Sequence, residues 1–338
     1  MVFKQALEQV LQGKDFDHAD MLALMQQVMT GELTPAQIAG LAIALRQKGE
    51  SVDEITAAAT VMRQLSTKVD IQDKAHLVDT CGTGGDGIQT FNVSTVSAFV
   101  AAAAGAKVAK HGGRSVSSTC GSADVLEALG VNVNQTPEQV AHSVNHVGIG
   151  FMFAPNHHSA MKHAAPVRRE LGVRTIFNLL GPLTNPASAR RQVMGVFSKD
   201  LTLKLAKVLQ NLGSEHVLVV HGADGMDEIS FTGDTYVAEL KDGKVREYTL
   251  NPTQFGLPLH ILKNIQVDNA DQSKAMILDV LNGQAGAARD IVLLNAGAAI
   301  YAAGLVESLQ TGITKAAEVI DSGAALAKLE ALKRETNP

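Results

Sequence analysis

The chain has 338 residues, 46% of them hydrophobic, enough for one large or two moderate domains around sizeable cores. Its net charge is −5 and only 4% of residues are aromatic, with no Trp, which argues against a nucleic-acid surface built from basic patches and stacking rings. Cys81 and Cys120 form no zinc spacing, no signal-peptide pattern opens the chain, and the longest apolar run, Ala98 to Ala106, is too short for a bilayer, so a reduced, cytoplasmic protein is expected.

Residues 1–70 read as helices alone. Phe3, Leu7, Val10 and Leu11 share one helical face. Thr34-Pro35 is a cap followed by a first-turn proline, opening a helix to about Lys48 that Gly49 stops; Ser51 with Glu54 is a capping box for a helix to about Leu65. The stretch predicts a small helical unit beside a larger one. From about residue 75 strands alternate with helices, the pattern of a mostly parallel sheet covered on its faces. Strands are expected at 76–80, 107–110, 150–153, 192–197 and 216–221, with helices from Asn92 to about Gly105 and at 122–129, 137–147, 158–171 and 199–212. Asp242-Gly243, between two apolar runs within 235–249, signals a hairpin and an antiparallel edge. The last third is helical again at 272–282, 286–304, 308–320 and 322–335, and the tail after Lys333 is expected to fray.

Three stretches carry chemistry. Residues 78–122 hold two glycine-rich loops, Gly82-Thr83-Gly84-Gly85-Asp86-Gly87 and His111-Gly112-Gly113-Arg114-Ser115, each after a strand and joined by one helix. Glycine lets backbone N–H groups close on an anion, and the helix start near Asn92 adds donors and a positive dipole end. Gly82, Gly84 and Gly87 match the dinucleotide pattern, but that fold needs the helix to open inside the turn and an acid about 20 residues on to hold a ribose. Between Gly87 and Asp124 there is no acid, and the charges are Lys107, Lys110 and Arg114, which suit phosphate. No Walker sequence is present. The second stretch runs from Gln139 to Arg169 with His142, His146, His157, His158, Lys162, His163, Arg168 and Arg169 and no acid until Glu170. Its apolar start, Phe151-Met152-Phe153-Ala154-Pro155, together with an arginine suits an aromatic carboxylate, since guanidinium grips carboxylate with two prongs. Its histidine spacing matches no common zinc site. Third, Asp227-Glu228 follows the apolar run Val217 to Val220, and an acid pair at a strand end can hold magnesium alongside substrate phosphates.

In order along the chain, GTGGD at 82–86, NVST at 92–95, KHGGRSVSS at 110–118, FAPNHHSAMKHAAPVRR at 153–169, NLLGPLTNP at 178–186 and DE at 227–228 resemble the anthranilate phosphoribosyltransferases. The resemblance implies an α/β fold of nucleoside phosphorylase/phosphoribosyltransferase type. A small all-helical domain, 1–70 joined by helices from about 158–185, would pair with a large α/β domain, 75–338, whose mostly parallel central sheet is covered by helices. It also implies transfer of the phosphoribosyl group of 5-phosphoribosyl 1-diphosphate to the amine of anthranilate in tryptophan biosynthesis, in a homodimer joined through the helical domains. Neither a nucleic-acid nor a membrane partner is expected.

Carried over by position, the resemblance puts the donor on Gly82, Gly85, Asp86, Thr90, Asn92, Val93, Ser94 and Thr95, then on Lys110, His111, Gly112, Gly113, Arg114, Ser115, Val116, Ser117 and Ser118, and on Ser122. Ser94, Asp227 and Glu228 would hold two magnesium ions per subunit, and Lys110, Asp227 and Glu228 would be catalytic. Arg168 would pair with the anthranilate carboxylate, with Gly82, Gly113, His111 and His158 around the ring. The family's loop usually reads KHGNR, its Asn contacting anthranilate; Gly113 removes that side chain, and Cys120 stands where a small hydroxyl is commoner. Two other readings remain: a nucleoside phosphorylase of the same fold, which would need no paired acids for magnesium, and a silent relative that binds nucleic acid, which calls for a continuous basic surface and broken loops.

Overall fold

A computed structural model describes residues 2–114 and 120–338. Four helices open the chain: α1 (Phe3–Leu11), α2 (His18–Thr30), α3 (Pro35–Lys48) and α4 (Val52–Leu65). The last two start as their caps dictate, Thr34 and Ser51 each accepting from the N–H three residues on while Gln37 and Glu54 reach back. Then come β1 (Leu77–Gly82), α5 (Val93–Ala103), β2 (Lys107–Gly112), α6 (Ser122–Ala128), α7 (Pro137–His146) and β3 (Ile149–Phe153). Three short helices follow, α8 (Ala154–His157), α9 (Ala165–Leu171) and α10 (Ile176–Leu180), before β4 (Arg191–Gly195), α11 (Asp200–Asn211) and β5 (His216–Gly222). The hairpin β6 (Thr235–Lys241) and β7 (Lys244–Leu250) precedes α12 (Ala270–Leu281), α13 (Ala287–Ala302), α14 (Leu309–Asp321) and α15 (Ala324–Thr336).

The seven strands form one sheet in the order β3-β2-β1-β4-β5-β6-β7, parallel through β5 and antiparallel at β6 and β7. The hairpin turns on Asp242 and Gly243, both at positive φ, as its sequence signal required. The outer strand β7 shows Lys244, Arg246 and Glu247 to solvent, while β3 at the other end is packed by α7 and α15.

Alternation along β5 divides the core in two. Leu218 and Val220 join the apolar cluster of α5, α13 and α15; Val217 and Val219 join the cluster that holds Leu24, Leu41 and Ile55 of the first helices. Val167 of α9 and Ile176 of α10 belong to that second cluster. Burying both faces explains the uninterrupted apolar run, each such side chain contributing about 1.5–3 kcal/mol. Among the described residues no helix is long and apolar enough to cross a membrane.

Two expectations fail. The helix expected at 158–171 is broken: α8 ends at His157, a single 3₁₀ turn covers Ser159–Lys162, and α9 restarts at Ala165. Pro155 and Pro166 explain it, since proline is tolerated in the first turn of a helix and not in its interior. The C-terminal tail does not fray after Lys333, because Thr336 is buried and its hydroxyl accepts from Asn132 N–H at 3.2 Å, while Asn337 Nδ2 donates to Gly130 O at 3.0 Å.

The linker between α4 and β1 is stitched to the sheet side. Thr67 N–H donates to His157 O at 2.8 Å, Val69 N–H donates to Pro186 O at 3.2 Å, and Val69 and Ile71 sit in a small apolar cluster with Val140 and Met152.

Candidate active site

Strand order reverses between β1 and β4, and ligands of open α/β sheets bind beyond the carboxyl ends at such a reversal. The last paired residues there are Gly82 and Gly195. Asp227 lies directly over them: a Cβ on Gly195 would run into the backbone carbonyl of Asp227, and one on Gly82 into its carboxylate. The two glycines therefore let the segment after β5 lie down on the strand ends. The loop after β1 bends through Gly84, Gly85 and Gly87, all at positive φ, and this turns Gly84 N–H toward Asp227 Oδ2 at 2.8 Å. From the start of α5, Ser94 N–H donates to Glu228 Oε1 at 3.1 Å.

One cavity of about 290 Å³ gathers most of the residues expected to hold a phosphorylated sugar. Gly82, Gly85, Asp86, Thr90, Asn92, Val93 and Ser94 line one side, Lys110 through Arg114 and Ser122 another, and Asp227 and Glu228 its floor. Thr95 is not among them; it is fully buried, and its hydroxyl has no partner among the described residues. Ser115, Val116, Ser117 and Ser118 lie outside the described residues. Arg114 reaches the cavity but is gripped by Glu127, at 2.7 and 2.8 Å, and by Asp124 at 2.9 Å, and its guanidinium stands 5.6 Å from the Phe153 ring centre.

The floor is acidic and partly buried. Burial, then the neighbouring Asp86, pushes the Asp227 carboxyl up to about 7; burial, then Asp227, pushes Glu228 to about 8. Lys110, nearly fully buried, donates to Thr80 O and, at 3.2 Å, to Ser94 Oγ, and burial holds its pKa below the usual lysine value. Desolvated oxygen donors with one nearby ammonium fit a hard cation, which would neutralise them. Among the described residues no three His, Cys, Asp or Glu side chains close into a full cage, so such a cation would complete its shell with oxygens from substrate or water.

A second cavity, about 530 Å³, opens beside the first with apolar walls that include Met62, Phe153, Met161, Phe177 and Leu180. His158 lines it; Gly82 does not. His111, Gly113, Arg114 and Arg168 line both cavities, so this is where the two meet. Arg168 comes from α9, its pKa lowered by burial, and among the described residues no carboxylate pairs with it. His111 Nε2 and His158 Nε2 are 3.2 Å apart. Each neutral ring carries a single N–H, so one of the two donates to the other across this gap. Burial first, then neighbouring histidines, drops His111 to about 3 and His158 to about 4. Both rings are neutral at pH 7.

Three contributors went unnoticed in the sequence. Asn178, inside the NLLGPLTNP run, lines the first cavity. Asp79, wholly buried, accepts from His111 N–H at 3.2 Å and from Asn185 Nδ2 at 2.7 Å, pinning the base of the second glycine loop. Asn185 Nδ2 also donates to Ala109 O at 2.9 Å. An acid within an apolar strand and asparagines between helix breakers were the available signals.

Two family models match, the glycosyl transferase family helical bundle domain over residues 4–66 and its a/b domain over 74–326. The chain is 66% identical to an anthranilate phosphoribosyltransferase of Methylobacillus flagellatus, over 98% of both chains. It superposes on the crystal structure of anthranilate phosphoribosyltransferase from Thermus thermophilus with a TM-score of 0.93 at 42% identity, covering 98% of this chain and 99% of that one. The Saccharomyces cerevisiae enzyme, solved in complex with PRPP and Mg, matches at TM-score 0.83 and 29% identity, over 94% and 92% of the two chains. A second structure of that yeast enzyme holds 4-fluoroanthranilate, at TM-score 0.83 and 28% identity over the same shares.

Proposed function

Because the chain belongs to the anthranilate phosphoribosyltransferases, a family of tryptophan biosynthesis, we propose that its polar cavity takes 5-phosphoribosyl 1-diphosphate with magnesium and its apolar cavity takes anthranilate. The observation that carries this is the junction: Arg168, His111 and Gly113 line both cavities, where the sugar and the amine have to meet. Asp227, Glu228 and Ser94 would hold two magnesium ions, which when bound neutralise charge on the diphosphate.

The chain's own residues do the rest. Gly85 and Asp86 of the loop after β1 would face the donor phosphates, and Lys110 stands where the departing diphosphate gathers charge. Arg168 grips the anthranilate carboxylate with two parallel hydrogen bonds and so turns the amine toward ribose C1. A C–N bond forms at C1 while the C–O bond to diphosphate breaks, and the amine then releases a proton. Anthranilate's amine is already neutral at pH 7, so no residue need act as base before attack. Catalysis is then placement and charge, and holding two reactants in line can remove roughly 7–11 kcal/mol of barrier at best.

Loss of anthranilate fluorescence on adding the donor, with and without magnesium, tests the assignment. Turnover should require the metal, and Arg168→Ala should raise the anthranilate KM roughly ten- to a hundredfold, the size of a charged hydrogen-bond pair, with little effect on the donor KM. Turnover without metal, or equal rises in both KM values, would refute it. We further take residues 1–70 with about 158–185 as the helical domain. Its exposed Leu11, Ile43 and Val173 support a homodimer joined there.

A further inference from the structure

Two neighbouring histidines at the end of α8 point in different directions. The second, His158, faces His111 across the apolar cavity. The first, His157, is turned the other way, is 1% exposed, and lies 3.0 Å from Thr67 O through Nδ1. A carbonyl can only accept, so Nδ1 carries the proton. Thr67 N–H in turn donates to His157 O at 2.8 Å, which closes a reciprocal pair between the linker and the turn after α8. This linker is the only covalent path from α4 into the sheet. His157 Nε2 is left buried with no partner among the described residues. A buried unpaired ring nitrogen costs stability, and an apolar side chain would avoid that cost, so a packing role alone does not account for imidazole here.

We propose that His157 is a positioning residue for acceptor recognition: its ring locks the α4–β1 linker against the turn that aims His158 at His111. The next residue, His158, has φ −121° and ψ 58°, outside both helix and strand, so its direction depends on what holds the residue before it. Val69 N–H to Pro186 O ties the same linker to the segment carrying Asn185, which holds Ala109 O and Asp79 under the second glycine loop. The linker therefore touches both supports of the cavity junction, and His157 is the side chain that fastens it. Both donor and acceptor cavities keep their own lining residues when this ring is changed, and the effect falls on anthranilate.

This inference rests on reading the apolar cavity as the anthranilate site. His157→Leu should raise the anthranilate KM roughly three- to tenfold, the size of one lost hydrogen bond, with the donor KM unchanged. His157→Asn, whose amide nitrogen can stand where Nδ1 stood, should return it to within about twofold of the original. If the leucine variant does not fold, His157→Gln, whose amide reaches past that position, takes its place. An unchanged anthranilate KM, a parallel rise in both KM values, or no rescue by asparagine overturns the proposal. A His158→Ala control separates the two readings. If it leaves the anthranilate KM unchanged, the cavity assignment is wrong; if it raises that KM while His157→Leu does not, the coupling alone is wrong.

Discussion

His111 and His158 show how one buried contact sets a pH response. Both rings are far below the usual histidine value in the fold, at about 3 and about 4, against about 6.5 in an unfolded chain. Below pH 6.5 the unfolded chain therefore takes up protons that the folded chain refuses, and stability falls with pH. This contribution is whole above about 6.5 and is lost progressively toward pH 3. Urea midpoints measured from pH 7 to 4 should drop, and His158→Gln should flatten that drop; an unaltered slope in the variant would show that another group controls it. The same two residues mark what a sequence can disclose. Their place near a strand-end loop was legible from the basic, acid-free interval around them. Their neutral pairing was not, because it joins residues 47 positions apart along the chain. Arg114 makes the same point: as a sequence it is a cation in a phosphate loop, and only the fold shows Glu127 and Asp124 holding it.

Among elements, β4 matters more to the site than its five residues suggest. Its last residue, Gly195, is covered by the Asp227 backbone so closely that a methyl group has no room. Gly195→Ala must lift the segment that carries both carboxylates. Overpacking of this kind costs about 1–3 kcal/mol of stability, and an ångström of displacement at a reacting centre can cost roughly a hundredfold in rate. A variant that melts a few degrees lower yet loses most of its kcat is the expected result; normal turnover would mean that the segment does not seat the acids. Strand and hairpin positions were readable because short apolar runs and Asp242-Gly243 are local signals. Residues 158–171 read as one helix in sequence because helical periodicity there outweighs the break that Pro166 imposes. The glycines Gly82 and Gly195 are invisible as a pair, since strand register joins residues that lie far apart along the chain.

For the whole molecule, the helical bundle shares one apolar cluster with β4, β5 and α11, so the two halves are packed together and not merely tethered. The bundle still leaves Leu11 at 65% and Ile43 at 39% exposure, and Val173 at 44%. In the proposed homodimer these side chains would be covered by the partner copy. Light scattering after gel filtration should give twice the chain mass, and replacing Leu11 and Ile43 with Asp should shift it toward the single chain; a monomeric parent would reject the arrangement.

The sheet's two margins bear on handling of the protein. One is packed by helices, and the other shows Lys244, Arg246 and Glu247 of β7 to solvent. The outer edge of β7 is left unpaired, and its charged side chains disfavour addition of a further strand. The protein should therefore tolerate crowding without growing fibrils, and clumping on heating would begin from opened chains and not from intact ones.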